Sequence, residues 1–145
     1  MAPPPTPPPS SRPPEEATAS GTVRTLLVDD HPRFLEAARR FLSTLPVQVV
    51  GEAHDGKEAL RLLDALRPAL VLLDLQLPEV DGLTVLRQAK ARPHPPLVVV
   101  VTLYDQEEFR AAAVAAGADG FVAKRSFTSA LVPLFRRLFP PPEPL

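Results

Sequence analysis

Cysteine is absent from the 145 residues, so no disulfide, thiolate metal ligand or cysteine nucleophile is available. No apolar run approaches the roughly 18 residues that a membrane-spanning helix needs. Charge of one sign is not in excess either. The formal net charge is -1, which provides no general attraction to nucleic acid or to an anionic membrane. The opening "MAPPPTPPPSSRPPEEATASG" has no apolar core and therefore does not read as a secretory signal. These absences lead us to expect a soluble, cytoplasmic chain with no membrane contact.

Proline is abundant, at 20 residues, and unevenly placed. Eight prolines fall within residues 1–14, and "PPPEPL" closes the chain. Proline lacks an N–H and fixes φ, so both ends are expected to be extended and unpacked. The expected organisation is a proline-rich tail over 1–21, a folded domain over 22–139, and a tail or linker stub over 140–145. The hydrophobic fraction of 45% is enough for that domain to bury a real core.

Within the domain, short apolar runs alternate with amphipathic stretches. The runs are "VRTLLV" (23–28), "VQVVGEA" (47–53), "ALVLLD" (69–74), "LVVVVT" (97–102) and "GFVA" (120–123). Between them, residues 33–45 place Phe34, Ala37, Ala38, Phe41, Leu42 and Leu45 on one helical stripe. Residues 55–66 and 82–91 supply further helices. Residues 105–117 supply another, with Asp105 expected as N-cap, Glu108 closing a capping box and Gly117 stopping the helix. Near the C-terminus, Pro133 interrupts "SALVPLFRRLF", so the last helix is expected to be kinked or to start late, near Val132. Five strands alternating with helices imply a three-layer α/β fold around a parallel sheet.

In such sheets, chemistry gathers at the carboxyl ends of the strands. Asp29 and Asp30 end the first run, Asp74 the third, Thr102 the fourth, and Lys124 follows the fifth. Carboxylates about 5 Å apart repel by about 3 kcal/mol at an effective dielectric near 20. One lysine does not offset three of them. A divalent cation does, and an all-oxygen set with open water positions suits Mg²⁺.

The pieces "LLVDDHP", "DGKEAL", "VLLDLQLPEVDGL", "VVVVTLYD" and "AGADGFVAKRS", in that order, resemble the receiver domain of two-component response regulators. The last phrase is most similar to the branch whose members usually carry a helix-turn-helix output domain. The resemblance implies a flavodoxin-like (βα)5 fold with parallel sheet order 2-1-3-4-5. It also implies that Asp74 is the phosphoacceptor, receiving a phosphoryl group from a histidine kinase or phosphotransfer protein. Asp30, Asp74 and the backbone carbonyl of Gln76 would bind Mg²⁺ directly, and Asp29 through water. Lys124 and Thr102 would contact the phosphoryl group, while Pro78 and Gly82 shape the loop after the acceptor. Thr102 and Phe121 would form the switch, and the face made by helix 4, strand 5 and helix 5 would carry output or a homodimer. Such a chain is a phosphoacceptor that assists its own phosphorylation and dephosphorylation, not a turnover enzyme.

Two departures stand out. Arg125 follows Lys124 where many receivers have proline, so the cis bond often found there is expected to be absent. Pro133 also puts the usual dimer face in question. Two rival functions remain: a constitutive docking module that keeps the fold, and an aspartyl-phosphate phosphatase, whose D-x-D-x-T motif is not matched by "DLQLP". Direct nucleic-acid binding by this chain is not expected, because no basic patch is evident. His31, His54 and His94 lack metal-ligand spacing and receive no role.

Overall fold

The computed structural model describes residues 21–141. The tail expected over 1–21 lies, except for Gly21, outside the described residues, as do residues 142–145 of the other tail. The strands are β1 (Val23–Val28), β2 (Val47–Ala53), β3 (Leu70–Leu73), β4 (Leu97–Thr102) and β5 (Gly120–Ala123). The helices are α1 (Pro32–Leu42), α2 (Gly56–Leu66), α3 (Gly82–Lys90), α4 (Glu107–Ala115) and α5 (Phe127–Leu138). All strand pairs are parallel and the sheet order is β2-β1-β3-β4-β5. This is the three-layer arrangement around a parallel sheet expected from the alternation, with the flavodoxin-like strand order that the resemblance implies.

The period of two along each strand divides the core between the two faces. Leu27, Leu70, Leu72, Val99, Val101 and Val122 face the layer of α1 and α5. Their neighbours Leu26, Val28, Val71, Leu73, Val98 and Val100 face α2, α3 and α4. The central strand β3 is buried at every position, which explains its unbroken apolar run.

Helix ends follow local chemistry. Asp55 caps α2 by accepting the Glu58 N–H at 2.7 Å, and Glu58 accepts the His54 N–H in return. At the end of α1, Ser43 and Thr44 turn their hydroxyls back onto the Arg40 and Phe41 carbonyls. The helix therefore ends at Leu42, three residues before the expected Leu45, although Leu45 still packs on the core.

Asp81 caps α3, accepting from the Thr84 N–H at 3.0 Å. That backbone hydrogen bond is the main cause holding its carboxyl below the usual 3.8. A depressed folded-state value means that the stabilisation is present above pH 3.8 and is lost as pH falls through the folded value. Asp81→Ala should cost about 0.5–1 kcal/mol at pH 7, and the difference from wild type should vanish in acid. Urea titrations at pH 7 and pH 2.5 measure this; an equal cost at both would contradict the cap.

Two expectations are corrected here. Helix α4 begins at Glu107 after Gln106, not at Asp105. The Asp105 carboxylate instead pairs with the Arg125 guanidinium, and a charge-assisted pair outweighs a hydrogen bond to a neutral N–H. Helix α5 does not start late: it runs continuously from Phe127 with Pro133 inside it. Phe127, Leu131 and Phe135 are buried on one stripe, each contributing roughly 1.5–3 kcal/mol. Together they exceed the roughly 3 kcal/mol that an interior proline costs. Pro133 and Ser129, the residue four before it, are both exposed, so the carbonyl deprived of its partner can turn to water.

Candidate functional site

Parallel pairing places the ends of β1 and β3 side by side. The Asp74 N–H donates to the Val28 carbonyl at 2.9 Å, and the Asp29 N–H to the Ala53 carbonyl at 3.0 Å. Both aspartates are thereby fixed at the carboxyl edge of the sheet and almost fully covered, at 3% exposure for Asp29 and 2% for Asp74. Asp30 continues the chain outward and is exposed.

Lys124 follows β5, two strands from β3, and its side chain spans that gap. Its Nζ donates to Asp29 Oδ2 at 2.7 Å and to Asp74 Oδ2 at 2.9 Å, with only 6% of the side chain exposed. The ammonium also lies 4.6 Å from the centre of the Phe34 ring, whose edge-to-face partner is Phe127. The aromatic pair therefore forms part of the wall around the lysine, steering its charge toward the carboxylates. The remaining Asp74 oxygen, Oδ1, accepts the Gln76 N–H at 3.0 Å, so Gln76 begins the loop beside the acceptor.

Thr102 ends β4 and is fully buried, its Oγ1 accepting the Tyr104 N–H at 3.1 Å. It pairs with Ala123, next to Lys124, which brings it to the same sheet edge. Phe121 lies earlier on β5, half-buried, with the Arg110 guanidinium 4.7 Å from its ring centre. The peptide bond between Lys124 and Arg125 is trans, as is every other among the described residues.

The loop from Leu75 to Asp81 is fitted to the acceptor by close backbone approach. A Cβ on Gly82 would lie 2.4 Å from the Leu75 Cα and 2.5 Å from the Asp74 carbonyl oxygen. One on Gly56 would lie 2.1 Å from the Val80 carbonyl oxygen. Glycine is required at both positions.

The sequence reading missed His31. The Asp29 carboxylate accepts the His31 N–H at 2.8 Å, a tight turn that brings the imidazole back over the cluster. His31 Nδ1 lies 3.0 Å from Asp29 Oδ1, 3.2 Å from Asp30 Oδ1 and 3.7 Å from Asp74 Oδ2. The available signal was Pro32: at the first position of α1 it leaves His31 as N-cap and frees Asp29 to accept from two residues on.

Three carboxylates and one ammonium leave a net formal charge of -2, with histidine neutral. Donor atoms from Asp29, Asp30, His31 and Asp74 all lie within 4.8 Å of one another. Adjacent ligands on a six-coordinate ion with bonds near 2.1 Å are about 3.0 Å apart, and opposite ones about 4.2 Å. The cluster carries the charge for a small divalent cation, and its 4.8 Å span needs to close by only about half an ångström to surround one. The chain's own contribution is an anionic cup with one buried cation, Lys124, held at its wall by Asp29 and Asp74.

Comparison with known proteins agrees with this fold. Residues 25–136 match the family model described as response regulator receiver domain. The nitrate/nitrite response regulator protein NarL of Escherichia coli strain K12 is 36% identical over 100 residues, which are 68% of this chain and 46% of that protein. Response regulator GacA of Pseudomonas viridiflava is 34% identical over 119 residues, 81% of this chain and 55% of that protein. The chain thus spans about half the length of the curated relatives it matches. Among solved structures, a two-component response regulator of the LuxR family from Aurantimonas sp. SI85-9A1 superposes with a TM-score of 0.76. It is 33% identical, and the match covers 82% of this chain and 86% of that one. No helix among the described residues is long and apolar enough to cross a membrane.

Proposed function

The chain belongs to the response regulator receiver domain family, and on that premise we propose that Asp74 accepts a phosphoryl group from a histidine kinase or phosphotransfer protein. One Asp74 oxygen attacks the phosphorus of the donor's phosphohistidine. A P–O bond forms, the P–N bond breaks, and the donor imidazole leaves with the bonding pair. The carrying observation is the buried Asp74 carboxylate held 2.9 Å from the buried Lys124 ammonium, within one cluster with Asp29 and Asp30.

Mg²⁺, when bound, draws charge from the transferring oxygens; Asp30, Asp74 and the Gln76 carbonyl would hold it, with Asp29 acting through water. Lys124 supplies a fixed positive charge to a phosphoryl oxygen, and Thr102 donates its hydroxyl while its oxygen keeps the Tyr104 N–H. The remaining work is positioning, done by strand ends that the sheet holds still.

Signalling follows from the added charge. Thr102 moves toward the phosphoryl group, and the β4–α4 loop moves with it through Tyr104. Phe121 turns inward, leaving Arg110. The surface of α4, β5 and α5 changes as a result; Arg110, Val114, Pro133, Leu134 and Arg137 line a groove there. That groove carries the output or a second copy of the chain. Pro133 lies in its wall, as befits an exposed helix position. The protein acts in the cytoplasm and turns over no substrate other than its own acyl phosphate.

Intact-mass spectrometry after incubation with acetyl phosphate tests this reading. A single phosphoryl adduct that requires Mg²⁺ and disappears in Asp74→Asn is the expected result. An adduct that survives the substitution would overturn it.

A further inference from the structure

We propose that Phe34 is a positioning residue for phosphoryl transfer: the face of its ring holds the Lys124 ammonium in place while Asp74 changes from carboxylate to acyl phosphate. The inference rests on the phosphoacceptor reading and adds to it a group outside the acidic cluster.

Lys124 has few partners, and the reaction alters one of them. Its Nζ lies 2.7 Å from Asp29 Oδ2, 2.9 Å from Asp74 Oδ2 and 3.2 Å from His31 Nδ1. When an Asp74 oxygen bonds to phosphorus, the negative charge moves outward onto the phosphoryl oxygens, and the ammonium has to follow it. Hydrogen bonds weaken steeply as their geometry opens. Attraction to an aromatic face is broader and persists out to about 6 Å from the ring centre. Phe34 has its ring centre 4.6 Å from Nζ, so it retains the cation across a shift that breaks the Asp74 hydrogen bond. The lysine side chain is buried, so little water is present to take over this role, and the cation–ring attraction is strengthened.

The ring is itself held from outside the acidic cluster. Phe34 stands in the first turn of α1, directly after the β1 aspartates. It meets Phe127 edge-to-face at 5.2 Å, and Phe127 meets Phe41 in the same way at 5.7 Å. Phe127 belongs to the buried core between the sheet, α1 and α5. The platform under the ammonium is therefore fixed by packing that the chemistry leaves unchanged.

Phenylalanines carrying one, two or three ring fluorines, introduced at position 34 of the full chain, keep the ring's shape while draining negative charge from its face. With acetyl phosphate as donor and Mg²⁺ saturating for each variant, adduct formation should slow stepwise along that series and about tenfold in Phe34→Leu. The same series at Phe41, in the same aromatic cluster but with no cation over it among the described residues, should leave the rate unchanged. In NMR spectra recorded without phosphodonor, the Lys124 ε-methylene protons should be shielded by the ring and lose that shielding in Phe34→Leu. A rate indifferent to fluorine number, in a chain that does take up the phosphoryl group at Asp74, would overturn the role of Phe34 and leave the phosphoacceptor reading intact. Shielded lysine protons with no adduct in the wild type would overturn that reading, and the positioning role with it.

Discussion

Asp74→Asn should abolish phosphoryl incorporation and, in EDTA, leave the protein about 1–2 kcal/mol more stable than wild type. Loss of the acceptor explains the first effect. The second follows from the charge balance. Asp74 faces two carboxylates whose donor atoms lie no more than 4.8 Å away, each repelling it by at least about 3.5 kcal/mol at an effective dielectric near 20. Its attraction to Lys124 at 2.9 Å is worth about 6 kcal/mol on the same scale. Solvent around Asp30 reduces one of the repulsions, so these terms nearly cancel. Burial then decides: an ionised carboxylate at 2% exposure has lost most of its hydration, and a neutral amide loses far less.

Two features keep the substitution from disrupting the site. Lys124 retains Asp29 at 2.7 Å, so no buried ammonium is stranded. The amide oxygen of asparagine can still accept the Gln76 N–H that Asp74 Oδ1 accepts at 3.0 Å. Urea unfolding in EDTA measures the difference. A loss of more than about 1 kcal/mol would mean that the Lys124 pair outweighs repulsion and desolvation together.

Gly82→Ala should be a strongly damaging single-methyl change at the acceptor itself, costing about 3 kcal/mol or more and lowering Tm by roughly 10 °C. The added Cβ would stand 2.4 Å from the Leu75 Cα and 2.5 Å from the Asp74 carbonyl oxygen. Both are main-chain atoms beside the acceptor, so no side chain can rotate away to relieve the clash. Relief requires moving either the start of α3 or the segment carrying Asp74. Phosphorylation should therefore slow in the same variant, even at temperatures where it remains folded. Thermal denaturation and the rate of adduct formation read the two effects. A variant that kept wild-type Tm and rate would show that the loop yields more easily than its backbone contacts imply.

The central strands were legible because burial on both faces leaves a nearly continuous apolar signal, and the half-buried edge strands β2 and β5 because short apolar runs recur at the same spacing between helical stretches. Strands β1, β2, β4 and β5 match the apolar runs residue for residue, and β3 differs only at its ends. The site was legible for a related reason: charge stands out where an apolar run stops, and parallel order makes the stops converge. What failed to show was decided by contacts distant in sequence or by main-chain geometry. Asp105 had the sequence signature of a helix cap, but its true partner, Arg125, is 20 residues away. Pro133 looked like a helix boundary because a proline signals its cost locally, whereas the burial of Phe127, Leu131 and Phe135 depends on the packed core. His31 looked unassociated because the turn that folds its ring over Asp29 is a property of the backbone.

The central claim is that Asp74, and neither of its acidic neighbours, carries the phosphoryl group. Borohydride reduces an acyl phosphate to an alcohol, converting the modified aspartate into homoserine, and peptide mass mapping then locates the conversion. The account predicts homoserine at position 74 alone, formed only when both phosphodonor and Mg²⁺ are supplied. Homoserine at position 29 or 30, or phosphorylation with no reducible acyl phosphate, would contradict it.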